Sequence, residues 1–182
     1  MRRIAVLSGL VLVGGVLGPS TAFADEGGHD ADKTRWIAVE DDFNVVLPNG
    51  QTFTGDPGPM DPNDAPPVGT RLFITEKLYD TDDGTTRGDA VGRSHIECSA
   101  QVVKFTFLCD AALVFDSGSQ LIATVHLDFS DPSAEGEPFD IAVTGGTNDY
   151  FGATGQVTAT DLSASEAESV TRYDADLVLP RK

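Results

Sequence analysis

From residue 35 onward the chain alternates apolar and polar side chains in short runs, and each run ends in Gly, Pro or Asp. Residues 35–47 put Ile37, Val39, Phe43, Val45 and Leu47 on one face. Residues 71–80, RLFITEKLYD, repeat the pattern and stop at the turn Asp82-Asp83-Gly84. Residues 92–99 are the next candidate. The clearest alternation spans 102–116, with Val103, Phe105, Phe107, Cys109, Ala111, Leu113 and Phe115 on one side. Residues 121–129 follow with Leu121, Ala123, Val125, Leu127 and Phe129, and 139–144, 155–162 and 170–179 complete the set. Period two is the signature of half-buried strands, and no window shows the 3, 4, 7 spacing of a globular helix. About eight strands in one domain predict an all-β antiparallel barrel or sandwich.

Three segments fall outside this pattern. Arg2-Arg3, the uncharged apolar stretch 4–17 and Ala22-Phe23-Ala24 read as a secretory signal peptide over residues 1–24. The polar stretch 25–34, DEGGHDADKT, reads as a loose arm, leaving 35–182 as the barrel domain. Residues 48–69 carry too many prolines and glycines for a central strand or a helix, and form either a binding loop or a tether.

Composition narrows the partners. The formal charge is −17, and removing the leader's arginines makes it more negative. Such a surface repels nucleic acid and anionic lipid, which argues against both as partners. Cys98 and Cys109 are the only cysteines, and in an exported protein a disulfide between them is expected. Two thiols alone do not make a zinc site. No nucleotide, haem or metal motif stands out, so no cofactor is expected. Asp80-Thr81-Asp82-Asp83-Gly84 lacks the last Glu of a calcium loop and reads as an acidic turn.

Residues 141–157, IAVTGGTNDYFGATGQV, give the strands a character of their own. Their glycines permit positive φ and close backbone approach at a sharp strand-to-strand corner. This block resembles the glycine-rich hairpin of the allene oxide cyclase and dirigent barrel families. FITEKLYD is similar to the N-K-L-Y strand of those families, and FLCDAALVFDSGSQLIATV falls where they have a long hairpin. Val125 stands where many relatives carry Gly. The resemblance implies a single closed eight-stranded, calycin-like barrel rather than a sandwich. It further implies an apolar ligand in the lumen, steering of a cyclisation or isomerisation, and homo-oligomers formed through outer barrel faces.

Candidate chemistry follows from the inward pattern. Glu76 shares a face with Leu72, Ile74 and Leu78, which sends a carboxylate towards apolar surroundings. There it is either a lumen acid or base, or one half of a salt bridge with Lys104 or Arg71 at a barrel mouth. The resemblance sets it where allene oxide cyclases carry a water-binding Asn. The same resemblance puts Glu40 at a lumen glutamate, whereas periodicity points Asp41 inwards instead; a one-residue bulge reconciles the two. Phe105, Phe107, Phe115 and Phe129 are candidate ligand contacts for a lipid- or polyketide-like molecule, or else they fill the core. His95 and His126 alternate with apolar neighbours and are expected to face solvent. The leading expectation is a secreted binding barrel with cyclase or isomerase character. A lipocalin-like carrier and a solidly filled surface-interaction protein are the rivals.

Overall fold

The computed structural model describes residues 32–55, 65–130, 136–164 and 168–180, and every strand in it is antiparallel to its neighbours. The elements are β1 (Asp32–Val46), β2 (Thr52–Thr54), β3 (Arg71–Asp80), β4 (Ala90–Ala100) and β5 (Thr106–Phe115). They continue with β6 (Gln120–Asp128), β7 (Phe139–Thr147), β8 (Thr154–Asp161) and β9 (Val170–Val178). The order β1-β3-β4-β5-β6-β7-β8-β9 closes through a β1–β9 pairing, giving an eight-stranded barrel with β2 added outside it. The expected signal peptide and most of the arm lie outside the described residues, as does 56–64 of the long loop.

Closure depends on the length of β1. Its first half pairs with β9 from Asp32↔Leu177 to Val39↔Val170, so the strand begins inside the stretch expected to be a loose arm. Its second half runs past the start of β9, and there β2 covers the free edge by pairing Thr52–Thr54 with Asn44–Val46. The loop predicted to hold no central strand therefore contributes a short exposed edge strand. That fits, because an edge tolerates nearby Pro and Gly.

The glycine block performs the corner expected of it. Gly155 has φ +125, and a Cβ there would lie 2.1 Å from the Asp176 carbonyl oxygen. A Cβ on Gly146 would lie 2.4 Å from the Gln120 carbonyl oxygen and 2.6 Å from Tyr150 Cβ. Only glycine allows β7 and β8 to approach their neighbours this closely. Between them, Asn148–Tyr150 forms one 3-10 turn that folds across the end of the barrel. Asp149 accepts a hydrogen bond from the buried Ser119 hydroxyl at 2.6 Å, and the Asn148 amide donates to the Gly118 carbonyl at 2.8 Å.

This end is closed by side chains. Trp36 and Tyr150 each stack near Phe115, with ring centroids 5.2 Å apart in both pairs. Leu78, Leu121, Ala153 and Leu177 fill the space around them. At the opposite end, Cys98 and Cys109 face each other in the β4–β5 ladder and form a disulfide. Phe107 and Ala100 pack with the bridge as a second small cluster.

Candidate functional site

Strand register brings the acidic residues together. β3 turns Glu76 inwards between Ile74 and Leu78, and its cross-strand partner on β1 is Glu40. The ladder slips by one residue between Glu40 and Asp42. That bulge at Asp41 is the device that reconciles the two sequence readings. Before it, Trp36, Ala38 and Glu40 face the interior; after it, Val45 does. Asp41 is thrown outwards, where it pairs with Arg93 at 2.8 Å and Lys77 at 3.5 Å. The hydrogen bond from Arg93 holds its carboxyl below the usual range. Alternation that had pointed Ile37, Val39 and Asp41 inwards is thus corrected for the first half of β1. Ile37 is 1% exposed yet lies on the outer face, beneath Leu162 and Val170.

Glu76 is 5% exposed, and no Lys, Arg or His among the described residues forms a salt bridge with it. Arg71 pairs with Glu97 on the outer face, and Lys104 sits in the exposed β4–β5 turn. The partners of Glu76 are neutral donors: the Ser94 hydroxyl from β4 and the Tyr173 hydroxyl from β9, the latter at 2.9 Å. Both donate to Oε2, and no donor among the described residues reaches Oε1. Burial raises the Glu76 pKa, the two hydrogen bonds oppose that shift, and the Glu40 charge adds to it. Burial, reinforced by the Glu76 charge, pushes Tyr173 well above the usual phenol value. Tyr173 is therefore a donor throughout the working range.

Around this group lies a cavity of about 210 Å³. Its walls are Ile74, Ile96, Leu113, Val125, Ile141 and Val157, together with small side chains such as Ala111 and Ala123 and the Cys98–Cys109 bridge. Its lining passes from buried residues near Glu76 and Tyr173 to exposed ones at Phe139, Asp161 and Ser169. The cavity therefore opens at the end where β4, β6 and β8 finish. Pockets that enclose drug-sized ligands measure roughly 300–1,000 Å³, so this one suits a more compact molecule.

The two strands expected to line the lumen do so, but through other residues than the phenylalanines. None of Phe105, Phe107, Phe115 and Phe129 lines the cavity. Phe115 is part of the closed end, and Phe107 is 1% exposed in the disulfide cluster. Phe129 is 48% exposed and meets Phe107 edge-on at 5.8 Å. Phe105 has φ 60 in the turn before β5, so the strand begins at Thr106, and Val103, also in that turn, is exposed. The physical reason is depth: alternation assigns a face but not a level along the barrel axis. His95 and His126 are both exposed. The acidic turn closes on itself, with Asp83 accepting bonds from Thr85 and Thr86. Among the described residues, no group of three His, Cys, Asp or Glu gathers as a metal site would need.

Sequence reasoning missed Ser94 and Tyr173. Both had a signal: Ser94 alternates with Ile96 and Cys98, and Tyr173 with Ala175 and Leu177, each on an inward face. What it lacked was the pairing that brings Tyr173 to a carboxylate 97 residues earlier in the chain.

The sequence matches no protein-family profile and no curated protein. Solved structures do match in fold. A pyocyanin demethylase aligns with TM-score 0.53 and 21% identity over 80% of this chain and 98% of its own. Two pterocarpan synthase dirigent proteins align with TM-scores 0.50 and 0.51. They are 16% and 15% identical, over 81% and 82% of this chain and 97% and 93% of theirs. The barrel expected from the glycine block is thus the dirigent-like barrel of these proteins.

Proposed function

We propose that this chain binds a compact, largely apolar molecule in the barrel cavity and that Glu76 exchanges a proton with it, steering an isomerisation or cyclisation. The observation that carries this reading is a carboxyl buried in an otherwise apolar, open-ended cavity, with one oxygen anchored twice and the other left for a ligand. The names of the barrels alike in fold, a pterocarpan synthase and a demethylase of pyocyanin, denote action on small organic molecules.

The chemistry follows from the environment. A carboxyl whose pKa is raised by burial works as acid or base nearer neutral pH than an exposed one. When Glu76 gives its proton to a ligand atom, the charge left behind is met by the Ser94 and Tyr173 hydroxyls, already aimed at Oε2. The resulting carboxylate then takes a proton from a second ligand atom and returns to its starting state. One proton leaves and one arrives, so the ligand is isomerised without net gain or loss. The walls hold its conformer during the exchange, while burial, opposed by the Ser94 and Tyr173 hydrogen bonds, governs how readily Glu76 ionises, and the Glu40 charge adds to the rise. The Cys98–Cys109 disulfide favours work outside the reducing cytosol, in keeping with an exported protein.

Native mass spectrometry of protein recovered from culture medium tests occupancy, and incubation of the extracted molecule in deuterium oxide tests exchange. Deuterium should enter the ligand with the natural protein and slow by about 10²–10⁴-fold with Glu76→Gln. A bound molecule left unlabelled by both proteins would reduce the reading to a carrier.

A further inference from the structure

The cavity walls carry their side chains in rows set by strand register. Nearest the closed end, Glu76 of β3 pairs with Ser94 of β4, and that row continues through Leu113 of β5 to Leu121 of β6. One row towards the mouth lie Ile74, Ile96, Ala111 and Ala123, and the next holds Cys98, Cys109 and Val125. Leu127 follows on β6, and Phe139 stands at the mouth. On β5 and β6 the wall therefore runs from leucine to alanine and back to larger groups. Ala111 and Ala123 face each other across the ladder, and each is an isopropyl group short of the leucine beneath it. Room left by alanines inside a packed wall stays empty unless a ligand fills it.

We propose that the cavity is widest one row above Glu76, at the Ala111–Ala123 pair, and that this bulb selects a molecule whose branched or ring-fused saturated end lies deepest. This rests on the reading of the barrel as a small-molecule binder and names the shape and class of the molecule. The row above the bulb is held from three sides and forms a neck. The Cys98–Cys109 bridge ties β4 to β5 there. Ile96 and Val125 pack against both the core of the closed end and the disulfide cluster. The strands therefore cannot part at that level to widen the passage.

Wall chemistry agrees with wall shape. Among the described lining residues only Tyr173 and Phe139 carry rings, and Phe139 is at the mouth. The other walls present the branched methyl groups of Ile74, Ile96, Val125, Ile141 and Val157, which offer no flat face for an aromatic plane to stack on. In such an apolar pocket one carbon more or less changes selection about 10–200-fold. The bulb also adjoins Glu76 Oε1, to which no donor among the described residues is directed. In the exchange proposed above, the atom that meets Glu76 then belongs to the branched carbon or neighbours it.

The isomers tert-butylbenzene and n-butylbenzene share a formula and differ in branching, which makes them the probes. Calorimetry on the full barrel should show the tert-butyl isomer binding at least about tenfold tighter. In methyl-labelled protein its tert-butyl protons should give nuclear Overhauser contacts to Ala111 and Ala123, and its ring protons to Leu127. Ala123→Val, checked for folding by circular dichroism, should erase the preference while moving n-butylbenzene affinity by less than about threefold. Val125→Ala should keep the preference but release the tert-butyl isomer about tenfold faster, read from exchange line shapes. An unchanged release rate would overturn the neck. Equal affinities in the natural protein, or tert-butyl contacts to Leu127 instead of the alanines, would overturn the proposal and leave the cavity reading standing. Binding of neither isomer would overturn both. The two isomers on the natural protein decide the matter even if a variant misfolds.

Discussion

The two ends of this barrel are built from the same strands and do opposite things. At one end Trp36, Phe115 and Tyr150 stack behind a 3-10 turn pinned by Ser119 and Asp149. At the other, the same strands supply Ala111, Ala123, Val125 and two glutamates, and the interior stays open. β5 shows the change within one element, from Phe115 at the plugged end to Ala111 and the bridged Cys109 around the cavity. An eight-stranded barrel is just wide enough for its own side chains or one small ligand. Side-chain size along the axis decides which, so the plug supplies the stability that the emptied half forgoes.

The largest expected effect comes from breaking the plug. Phe115→Ala removes a ring from between Trp36 and Tyr150 and should cost about 3–5 kcal/mol, read as a shifted denaturant midpoint. A loss below about 1 kcal/mol would show that the plug is not the stabilising half. Next comes the staple of the open half. Replacing Cys98 and Cys109 by Ala should cost about 2–3 kcal/mol, because the bridge closes a short loop in the unfolded chain.

A matched pair of enlargements sharpens the comparison. Ala38 is fully buried beside Leu78 and Trp36, and Ala38→Phe should destabilise by about 1–3 kcal/mol through overpacking. Val125→Phe points into the cavity and should change stability by less than about 1 kcal/mol while abolishing ligand uptake. Equal melting shifts for the two variants would mean that the interior is uniform from end to end.

The ends also differ in how far they could be read in advance. Strand 71–80 is observed where its alternation put it, and that alternation turned Glu76 inwards, because Leu72, Ile74 and Leu78 mark the inner face of β3. β1 misled for a definite reason. Trp36, Ile37 and Ala38 are consecutive and all buried, since Ile37 is covered from outside, so one-face periodicity failed there. The bulge at Asp41 then restored the expected face, and Val45 points inwards as its alternation put it. The phenylalanines failed on depth, with Phe107, Phe115 and Phe129 lying above, below and outside the space they were expected to line. Tyr173 carried the right alternation, but its meaning depended on closure between the first and last strands, which no local pattern encodes.

The smallest effect separates the two ends by pH. Glu76 belongs to the open half, and its folded pKa lies above the unfolded value of about 4.3. Between those two values the native state binds more protons than the unfolded one, so stability falls as pH rises through the window and levels off above it. Exposed Asp41, Asp128 and Glu168, held below their usual range mainly by hydrogen bonds, impose the opposite slope as pH falls. Subtracting the melting curve of the natural protein from that of Glu76→Gln cancels those outer groups. The difference should be near zero at pH 4 and rise to a positive plateau, with the variant more stable at neutral pH. In a Glu40→Gln background, which removes the neighbouring charge that helps raise Glu76, the Glu76→Gln difference curve should reach its plateau at lower pH. A flat difference for Glu76→Gln from pH 4 to pH 8 would place that carboxyl in water, and the open end would then hold no buried acid.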